Sequence, residues 1–124
     1  MKKNICSITV TFNPCVNNLQ GQIVSLIDQV DMVVLVDNGS NNIQDIERLV
    51  GRFKTTKLIN LKKNLGIAAA QNEGIRYALS QDFTHILFLD HDSILDNKFV
   101  DGLLVTEKKL VDQNLPFSAI GPTY

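Results

Sequence analysis

Hydrophobic and polar positions along the chain follow two alternating patterns. Short β-branched and apolar runs, typical of strands, alternate with stretches whose apolar residues recur three and four positions apart, typical of amphipathic helices. The runs predict strands at residues 5–12, 32–36, 56–61 and 84–89, and the start of a fifth at 117–120. The helical spacing predicts helices at about residues 17–29, 42–53, 67–80 and 97–113. Because strands that alternate with helices pair in parallel through crossovers, we expect an α/β fold, a three-layer α/β/α sandwich with a mainly parallel sheet.

Asparagine and alanine residues refine the predicted helices. Asn17 or Asn18 is placed to cap the first helix, and Asn41 or Asn42 the second, because a short polar side chain can accept a hydrogen bond from the first turn. The alanines at 68–70 give the third helix a small face for close packing on the sheet. No repeat or linker interrupts the 124 residues, so we expect one domain over residues 1–124.

The fourth predicted strand runs into the acidic turn, residues 90–93. Four bulky apolar residues, Ile86-Leu87-Phe88-Leu89, suit a strand covered on both faces. The turn itself is Asp90-His91-Asp92-Ser93, with two carboxylates one residue apart. Groups just past the carboxyl end of a parallel strand lie where open α/β sheets bind ligands. Hard oxygen ligands at that place favour a divalent cation that carries a phosphate group.

Polar side chains follow two other predicted strands as well. Because the carboxyl ends of parallel strands meet at one edge of a sheet, we expect these residues to converge although they are distant in sequence. The set comprises Thr11, Phe12 and Asn13 at the end of the first strand, Asp37 with Asn38 at the end of the second, and Asp90 with Asp92 at the end of the fourth.

Each motif also has a purely structural interpretation. Asp37-Asn38-Gly39-Ser40 is a good turn sequence, because Asn-Gly tolerates positive φ and Asp or Ser can cap the next element. The acidic turn can likewise be a solvated turn in which Asp92 or Ser93 caps the next helix. A third group of residues lies in the loop after the third predicted strand and on the helix that follows. Its structural interpretation is a loop glycine, a helix cap and an exposed helical amide. The group comprises Asn64, Gly66, Gln71, Asn72 and Gly74.

Histidines, cysteines and overall charge exclude several classes of function. His91 lies between two acids and is expected to point away from them, whereas His85 lies within a strand and is expected to be structural. Cys6 and Cys15 lack the spacing of a zinc site. A net charge of −1 argues against broad binding to nucleic acid. The short apolar run after Lys2 lacks the features of a signal peptide, and no run approaches the ~20 apolar residues of a membrane span.

Together the motifs resemble the amino-terminal, nucleotide-binding half of inverting GT-A glycosyltransferases of family 2. The resemblance covers nearly all of the chain, and the order and spacing of its four blocks both fit. The blocks are Val10-Thr11-Phe12-Asn13-Pro14, Val36-Asp37-Asn38-Gly39-Ser40, Asn64-Leu65-Gly66-Ile67-Ala68-Ala69-Ala70-Gln71-Asn72-Glu73-Gly74 and Leu89-Asp90-His91-Asp92-Ser93. The third and fourth blocks are most similar to the bacterial rhamnosyltransferases, which use dTDP-L-rhamnose to build surface polysaccharides.

The resemblance implies a role for each matching residue. Thr11 and Asn13 lie where the first-strand loop touches the nucleoside, and Asp37 lies where an acid accepts a hydrogen bond from the pyrimidine N3–H. Asp90 occupies the position that contacts the ribose. Asp92 occupies the DXD-motif position that binds the divalent ion, Mn²⁺ or Mg²⁺, bridging the diphosphate. Such a cation neutralises the charge that develops on the leaving diphosphate.

A loop and a helix complete the implied donor site. Asn64, Gly66 and Asn72 match the segments that close over the base and the sugar diphosphate. Many relatives carry arginine immediately before that last asparagine. Gln71 here removes this positive charge, and with it a partner for direct pairing with phosphate.

The acceptor side of the reaction is expected to lie outside this sequence. Inverting transfer requires a general base on the opposite face of the sugar, and the family supplies it from the acceptor half. No convincing candidate precedes Tyr124, so we expect a truncated domain whose catalytic base lies beyond residue 124. The implied partners are a dTDP- or UDP-sugar donor and a glycan or lipid-linked acceptor. The implied location is the cytoplasm, with the inner face of the plasma membrane as the place where a full-length enzyme would meet a lipid-linked acceptor.

Two other classes of protein compete with this interpretation. A Mg²⁺-binding receiver domain of flavodoxin-like architecture needs an acidic pair after its first strand, where this chain has Thr11-Phe12-Asn13-Pro14. A nicotinamide-dependent oxidoreductase needs a GxGxxG motif at the same place, and the chain has none there.

Overall fold

A computed structural model describes residues 4–113 and confirms the predicted alternation of strands and helices. The elements in chain order are β1 (Ile5–Thr11), α1 (Val16–Leu26), β2 (Met32–Asp37), α2 (Ile43–Val50), β3 (Thr56–Asn60), α3 (Ile67–Ser80), β4 (His85–Leu89) and α4 (Phe99–Asp112). The fifth strand predicted at 117–120 lies outside the described residues.

The four strands form one parallel sheet in the order β3-β2-β1-β4. In its register Thr11 of β1 lies beside Asp37 of β2, and Thr9 of β1 lies beside Leu89 of β4. The carboxyl ends of β2, β1 and β4 are therefore neighbours at one edge of the sheet. This topology confirms the predicted α/β fold with a parallel sheet.

Helices cover the sheet on both sides, because alternate residues of a strand face opposite layers. The larger apolar cluster joins the sheet to α1, α2 and α4; its buried members are Ile5, Leu19, Ile23, Leu26, Val30, Val33, Leu35, Ile46, Leu49 and Val100. The second cluster joins the sheet to α3; its buried members are Cys6, Ile8, Val34, Val36, Ala70 and Ala78. The chain is thus the expected three-layer sandwich. Across the described residues, no helix has the length and apolarity needed to cross a membrane.

Helix α3 approaches the sheet closely through a stripe of small residues. Ala70, Gly74 and Ala78 are its buried residues, spaced four apart and therefore on one face. A Cβ at Gly74 would lie 2.7 Å from Ile8 Cγ2, so the glycine leaves room for the strand beneath. Of the alanines predicted to pack on the sheet only Ala70 is buried, and Ala68 is exposed.

Strand β4 departs from its prediction. It lies at one edge of the described sheet and pairs only with β1 there, and Phe88 is 46% exposed. The expectation that both faces of β4 are covered was therefore wrong for residues 4–113. The physical reason is position, because α3 packs over β1 and β2 rather than over β4.

The predicted cap of α1 was wrong, whereas the predicted start of α2 was confirmed in position. Helix α1 begins at Val16 directly after Cys15, two or three residues earlier than a cap at Asn17 or Asn18 requires. Asn42 does occupy the cap position of α2, but its side chain forms no capping bond. The Asn42 Nδ2 instead donates a hydrogen bond to the Pro14 carbonyl at 2.9 Å.

The two cysteines should differ sharply in reactivity. Cys6 is fully buried beneath α3, whereas Cys15 is exposed. Burial raises the pKa of the Cys6 thiol from 9.0 to about 11, so it stays neutral and unreactive at pH 8. We expect an aromatic disulfide reagent at pH 8 to modify one thiol per folded chain rapidly and the second only in denaturant. A Cys15→Ser chain should then show no fast reaction, and two fast thiols in the parent chain would contradict the burial of Cys6.

A raised thiol pKa also makes stability depend on pH. The neutral thiol favours the folded state, so its contribution is complete below the unfolded pKa of 9.0 and is lost as the pH rises towards about 11. The free energy of unfolding should therefore fall across that alkaline window.

Candidate functional site

Three loops meet at the carboxyl edge of the sheet. They follow β2, β1 and β4, which are adjacent in that order, so the predicted convergence of the strand ends is confirmed. The loop after β1 also contacts the one after β2, because Ser40 Oγ accepts a hydrogen bond from Asn13 N at 2.8 Å. The Asn13 Oδ1 in turn accepts one from Asn41 N at 2.7 Å. Asn13 itself adopts a left-handed backbone conformation with φ of 48°.

The carboxylate of Asp37 is the centre of a buried polar network. Its Oδ1 accepts hydrogen bonds from Thr11 Oγ1 at 2.7 Å and from Ser40 Oγ at 2.5 Å. Its Oδ2 accepts bonds from the backbone N–H groups of Gly39 at 3.2 Å and Ser40 at 2.8 Å. A carboxylate has about four acceptor positions, so this one is fully used within the fold.

Burial gives Thr11 and Asp37 a different environment from the one predicted. Both side chains are fully buried, so neither presents a polar atom to a ligand in this structure. The arrangement shows that they stabilise the turn at residues 37–40. Their predicted contacts with the nucleoside stay predictions.

The loop between β3 and α3, residues 61–66, packs against the turn at 37–40. The buried Asn38 accepts a hydrogen bond through Oδ1 from Leu65 N at 2.9 Å. Gly39 is so close to this loop that a Cβ would lie 2.8 Å from Lys63 Cα. The sequence indicated Asn38 only as part of a turn and as one of the groups at the sheet edge. Its link to a loop 27 residues away has no local signal in the sequence.

This packing brings two further predicted residues to the same edge. Asn64 is exposed, and its Oδ1 accepts a hydrogen bond from Gly66 N at 2.9 Å, which forms a local turn. Gly66 has φ of 89° and leads directly into α3. Asn72 is exposed on α3, and within the described part of the chain no hydrogen bond links it to the other predicted residues.

The acidic turn presents its carboxylates to solvent. Asp90 and Asp92 are exposed, and neither side chain forms a hydrogen bond or ion pair within residues 4–113. The backbone is fixed by a bond from Ser93 N to Asp90 O at 3.1 Å. No helix follows at once, since α4 begins at Phe99. The alternative in which Asp92 or Ser93 caps that helix was therefore wrong.

The carboxylates of the acidic turn fit a metal ion that is also coordinated by a bound ligand. Among residues 4–113 there is no group of three or more His, Cys, Asp or Glu side chains that could enclose a metal. Two free carboxylates, Asp90 and Asp92, are instead available. Mg²⁺ is commonly bound by one or two carboxylates together with substrate phosphates, and Mn²⁺ accepts the same hard oxygen ligands. His85 is engaged elsewhere, with its Nε2 2.7 Å from Glu107 Oε2, in agreement with its predicted structural role.

Gln22 is a residue at this edge that the sequence pattern did not reveal. It lies on α1 beside the apolar face and is fully buried. Its Nε2 donates hydrogen bonds to Asp90 O at 2.6 Å and to Ser93 O at 2.7 Å. The available signal was weak, because a glutamine beside an apolar stripe usually marks the border of the exposed face.

Comparison with known proteins shows the family to which the chain belongs. Residues 6–107 match the family model for glycosyl transferase family 2, a span that includes β1 through most of α4. The chain is also 41% identical over 108 residues to the dTDP-rhamnosyl transferase RfbF of Shigella flexneri, an alignment that covers 83% of this chain and 34% of that protein. The chain thus spans about a third of the length of this curated relative. The predicted resemblance to family 2 and to rhamnosyltransferases is confirmed, and the chain belongs to glycosyl transferase family 2.

Proposed function

We propose that this chain binds the sugar-nucleotide donor of an inverting glycosyltransferase that transfers L-rhamnose from dTDP-L-rhamnose to a glycan or lipid-linked acceptor. The observation that carries the proposal is the pair of exposed, unpaired carboxylates of Asp90 and Asp92 at the end of β4. They lie at the same sheet edge as the turn at 37–40, so one ligand can contact both. The similarity to a dTDP-rhamnosyl transferase supports the choice of donor.

The residues of this edge divide between the two ends of the donor. Asp92 would bind Mn²⁺ or Mg²⁺ at the diphosphate, where the ion neutralises the charge of the leaving group. Asp90 would contact the ribose. The pyrimidine would lie against the turn fixed by Asp37 and Thr11, near Asn13. The helix and loop bearing Asn64, Gly66 and Asn72 would cover the base and the sugar diphosphate.

We propose that acceptor activation belongs to a part of the enzyme outside this sequence, since the chain spans about a third of the length of its curated relative. Inversion requires a general base on the face of the sugar opposite the diphosphate, and this edge supplies none that we can assign. The chain by itself is therefore proposed to bind the donor without transferring its sugar. A lipid-linked acceptor would bring the full-length enzyme to the cytoplasmic face of the membrane.

The proposal is tested by calorimetric titration of the chain with dTDP, with UDP and with each metal. We expect Mn²⁺ or Mg²⁺ to tighten dTDP binding at least about tenfold over EDTA, because carboxylate and diphosphate share the ion. Asp92→Asn should bind dTDP equally with and without metal. Comparison of dTDP with UDP measures whether the thymine methyl group is recognised.

The matched control is Asp101→Asn, which makes the same charge change at an exposed acid in the first turn of α4. This variant should keep the metal dependence of the parent chain. Metal-dependent binding that survives unchanged in Asp92→Asn would refute the assignment of Asp92.

The receiver-domain alternative receives no support. Phe12 and Asn13 follow β1 where that class needs an acidic pair, and the family match covers the same region. We therefore propose a single function.

A further inference from the structure

One side of α1 and of the turn that follows it carries polar side chains that bind the backbone after β4. Gln22, Ser25 and Gln29 are spaced three and four residues apart and form the α1 polar stripe. Ser25 Oγ accepts a hydrogen bond from Leu95 N at 3.2 Å. Gln29 Nε2 donates one to Asp96 O at 2.6 Å. The segment between β4 and α4 has no regular structure, so side chains of the stripe satisfy backbone groups that it leaves free.

Gln22 connects the acidic turn to the centre of the sheet. Both of its Nε2 hydrogens are used, one on Asp90 O at 2.6 Å and one on Ser93 O at 2.7 Å. Its Oε1 accepts a hydrogen bond from Thr9 Oγ1 at 2.9 Å. Thr9 lies on β1, the strand that pairs with both β2 and β4.

The location of Gln22 is costly for stability alone. The side chain is fully buried on the helix that also contributes Leu19, Ile23 and Leu26 to the core. A buried amide is tolerated only where its hydrogen bonds are made, and an apolar residue avoids this requirement. The burial of Gln22 is therefore explained by the segment that its side chain binds, the acidic turn.

The acidic turn depends on this amide for its conformation. Asp90, His91 and Asp92 are exposed. Within residues 4–113 the polar bonds that fix the turn are the internal one from Ser93 N to Asp90 O and the two from Gln22. Gln22 thus fixes the carbonyl groups at both ends of the segment that displays the two carboxylates.

We propose that Gln22 is a positioning residue that sets the geometry in which Asp92 meets the metal-bound diphosphate and Asp90 meets the ribose. The proposal rests on the proposed function of this turn. Residues that orient metal ligands typically change metal affinity about 10- to 100-fold when they are replaced.

The test compares the parent chain with Gln22→Met, which keeps the length of the side chain and removes its donors and acceptor. Calorimetry measures dTDP binding with Mn²⁺ and with EDTA. We expect Mn²⁺-dependent affinity to fall at least about tenfold, while metal-free affinity changes less than about twofold. The control is Ile46→Val, a mild core substitution on α2. Ile46 lies in the apolar cluster to which α1 also contributes, and its substitution should change neither affinity. A general loss of stability would not split the two affinities in this way.

Amide hydrogen exchange at Ser93 provides a readout that needs no ligand. Gln22→Met should exchange this amide at least about tenfold faster than the Ile46→Val chain, because the turn loses its external bonds. If the parent chain binds dTDP and Gln22→Met binds it as tightly with Mn²⁺, the positioning role is wrong and the proposed function stands. If the parent chain binds neither dTDP nor UDP, the proposed function fails, and the exchange rate at Ser93 alone supports or overturns the role of Gln22 in fixing the turn.

Discussion

Asp37→Ala is expected to cost the folded chain about 4 kcal/mol of unfolding free energy. The substitution removes the acceptor of four hydrogen bonds and leaves the hydroxyls of Thr11 and Ser40 and the N–H groups of Gly39 and Ser40 without it. Each buried polar group left unsatisfied costs about 1–3 kcal/mol, and partial relaxation keeps the total below the sum. Urea unfolding followed by circular dichroism at pH 7 measures the loss. Since domains are stable by about 5–15 kcal/mol, this is a large fraction of the total.

Two further variants separate the effect of the hydrogen bonds of Asp37 from the effect of losing a negative charge. Asp37→Asn should lose about 2 kcal/mol, because its oxygen still accepts the backbone bonds while its amide faces the two hydroxyls. Asp45→Ala removes an exposed acid of α2 that pairs with Arg48, and exposed pairs contribute at most about 1 kcal/mol. A loss below about 1 kcal/mol for Asp37→Ala would show that the buried network does not stabilise the fold.

Gly39→Ala is expected to cost about 3 kcal/mol and to separate the turn at 37–40 from the loop at 61–66. Gly39 has φ of 91°, a left-handed conformation that costs an L-residue about 1–2 kcal/mol. The new Cβ would also lie 2.8 Å from Lys63 Cα and 2.9 Å from Lys63 C, which are backbone atoms that cannot rotate away. Overpacking of this kind typically costs about 1–3 kcal/mol. The same urea titration measures the change.

Gly66 offers a control for the backbone contribution alone. Its φ of 89° is almost the same, but a Cβ built there has no neighbour within 4 Å. Gly66→Ala should therefore lose only about 1–2 kcal/mol, and the difference between the two variants measures the contact with Lys63. Equal losses would mean that the loop shifts without cost, so that the two segments are not rigidly joined.

Most of the fold was predictable because its signals are local and periodic. The helix over residues 67–80 was predicted with the bounds that α3 shows, since its apolar spacing, its preceding glycine and its alanines agree. Helix starts were less predictable. Asn17 and Asn18 are good capping residues, yet α1 starts before them because Leu19, Ile23 and Leu26 pack on the sheet, and packing outweighs a capping preference. The exposure of Phe88 was also missed, because the composition of β4 does not say that it lies at an edge of the described sheet.

The candidate site was predictable as a place but not as a set of contacts. Parallel pairing brings Thr11, Asp37 and the acidic turn to one edge, and that inference needs only the strand assignments. The burial of Asp37 depends on hydroxyl and N–H groups whose positions exist only in the folded chain. The role of Gln22 depends on carbonyls 68 and 71 residues away. Contacts of this range leave no periodic trace in a single sequence.

The strand order β3-β2-β1-β4 also determines when the two ends of the site form during folding. Pairing of β1 with β2 joins Cys6 to Met32, whereas pairing of β1 with β4 joins Ile5 to His85. The second pairing closes a loop about three times longer, and the entropic cost of closure rises with loop length. We therefore expect the turn at 37–40 to be in place before β4 docks, and the acidic turn to be ordered late. The proposed donor site would therefore be complete only when β4 has paired.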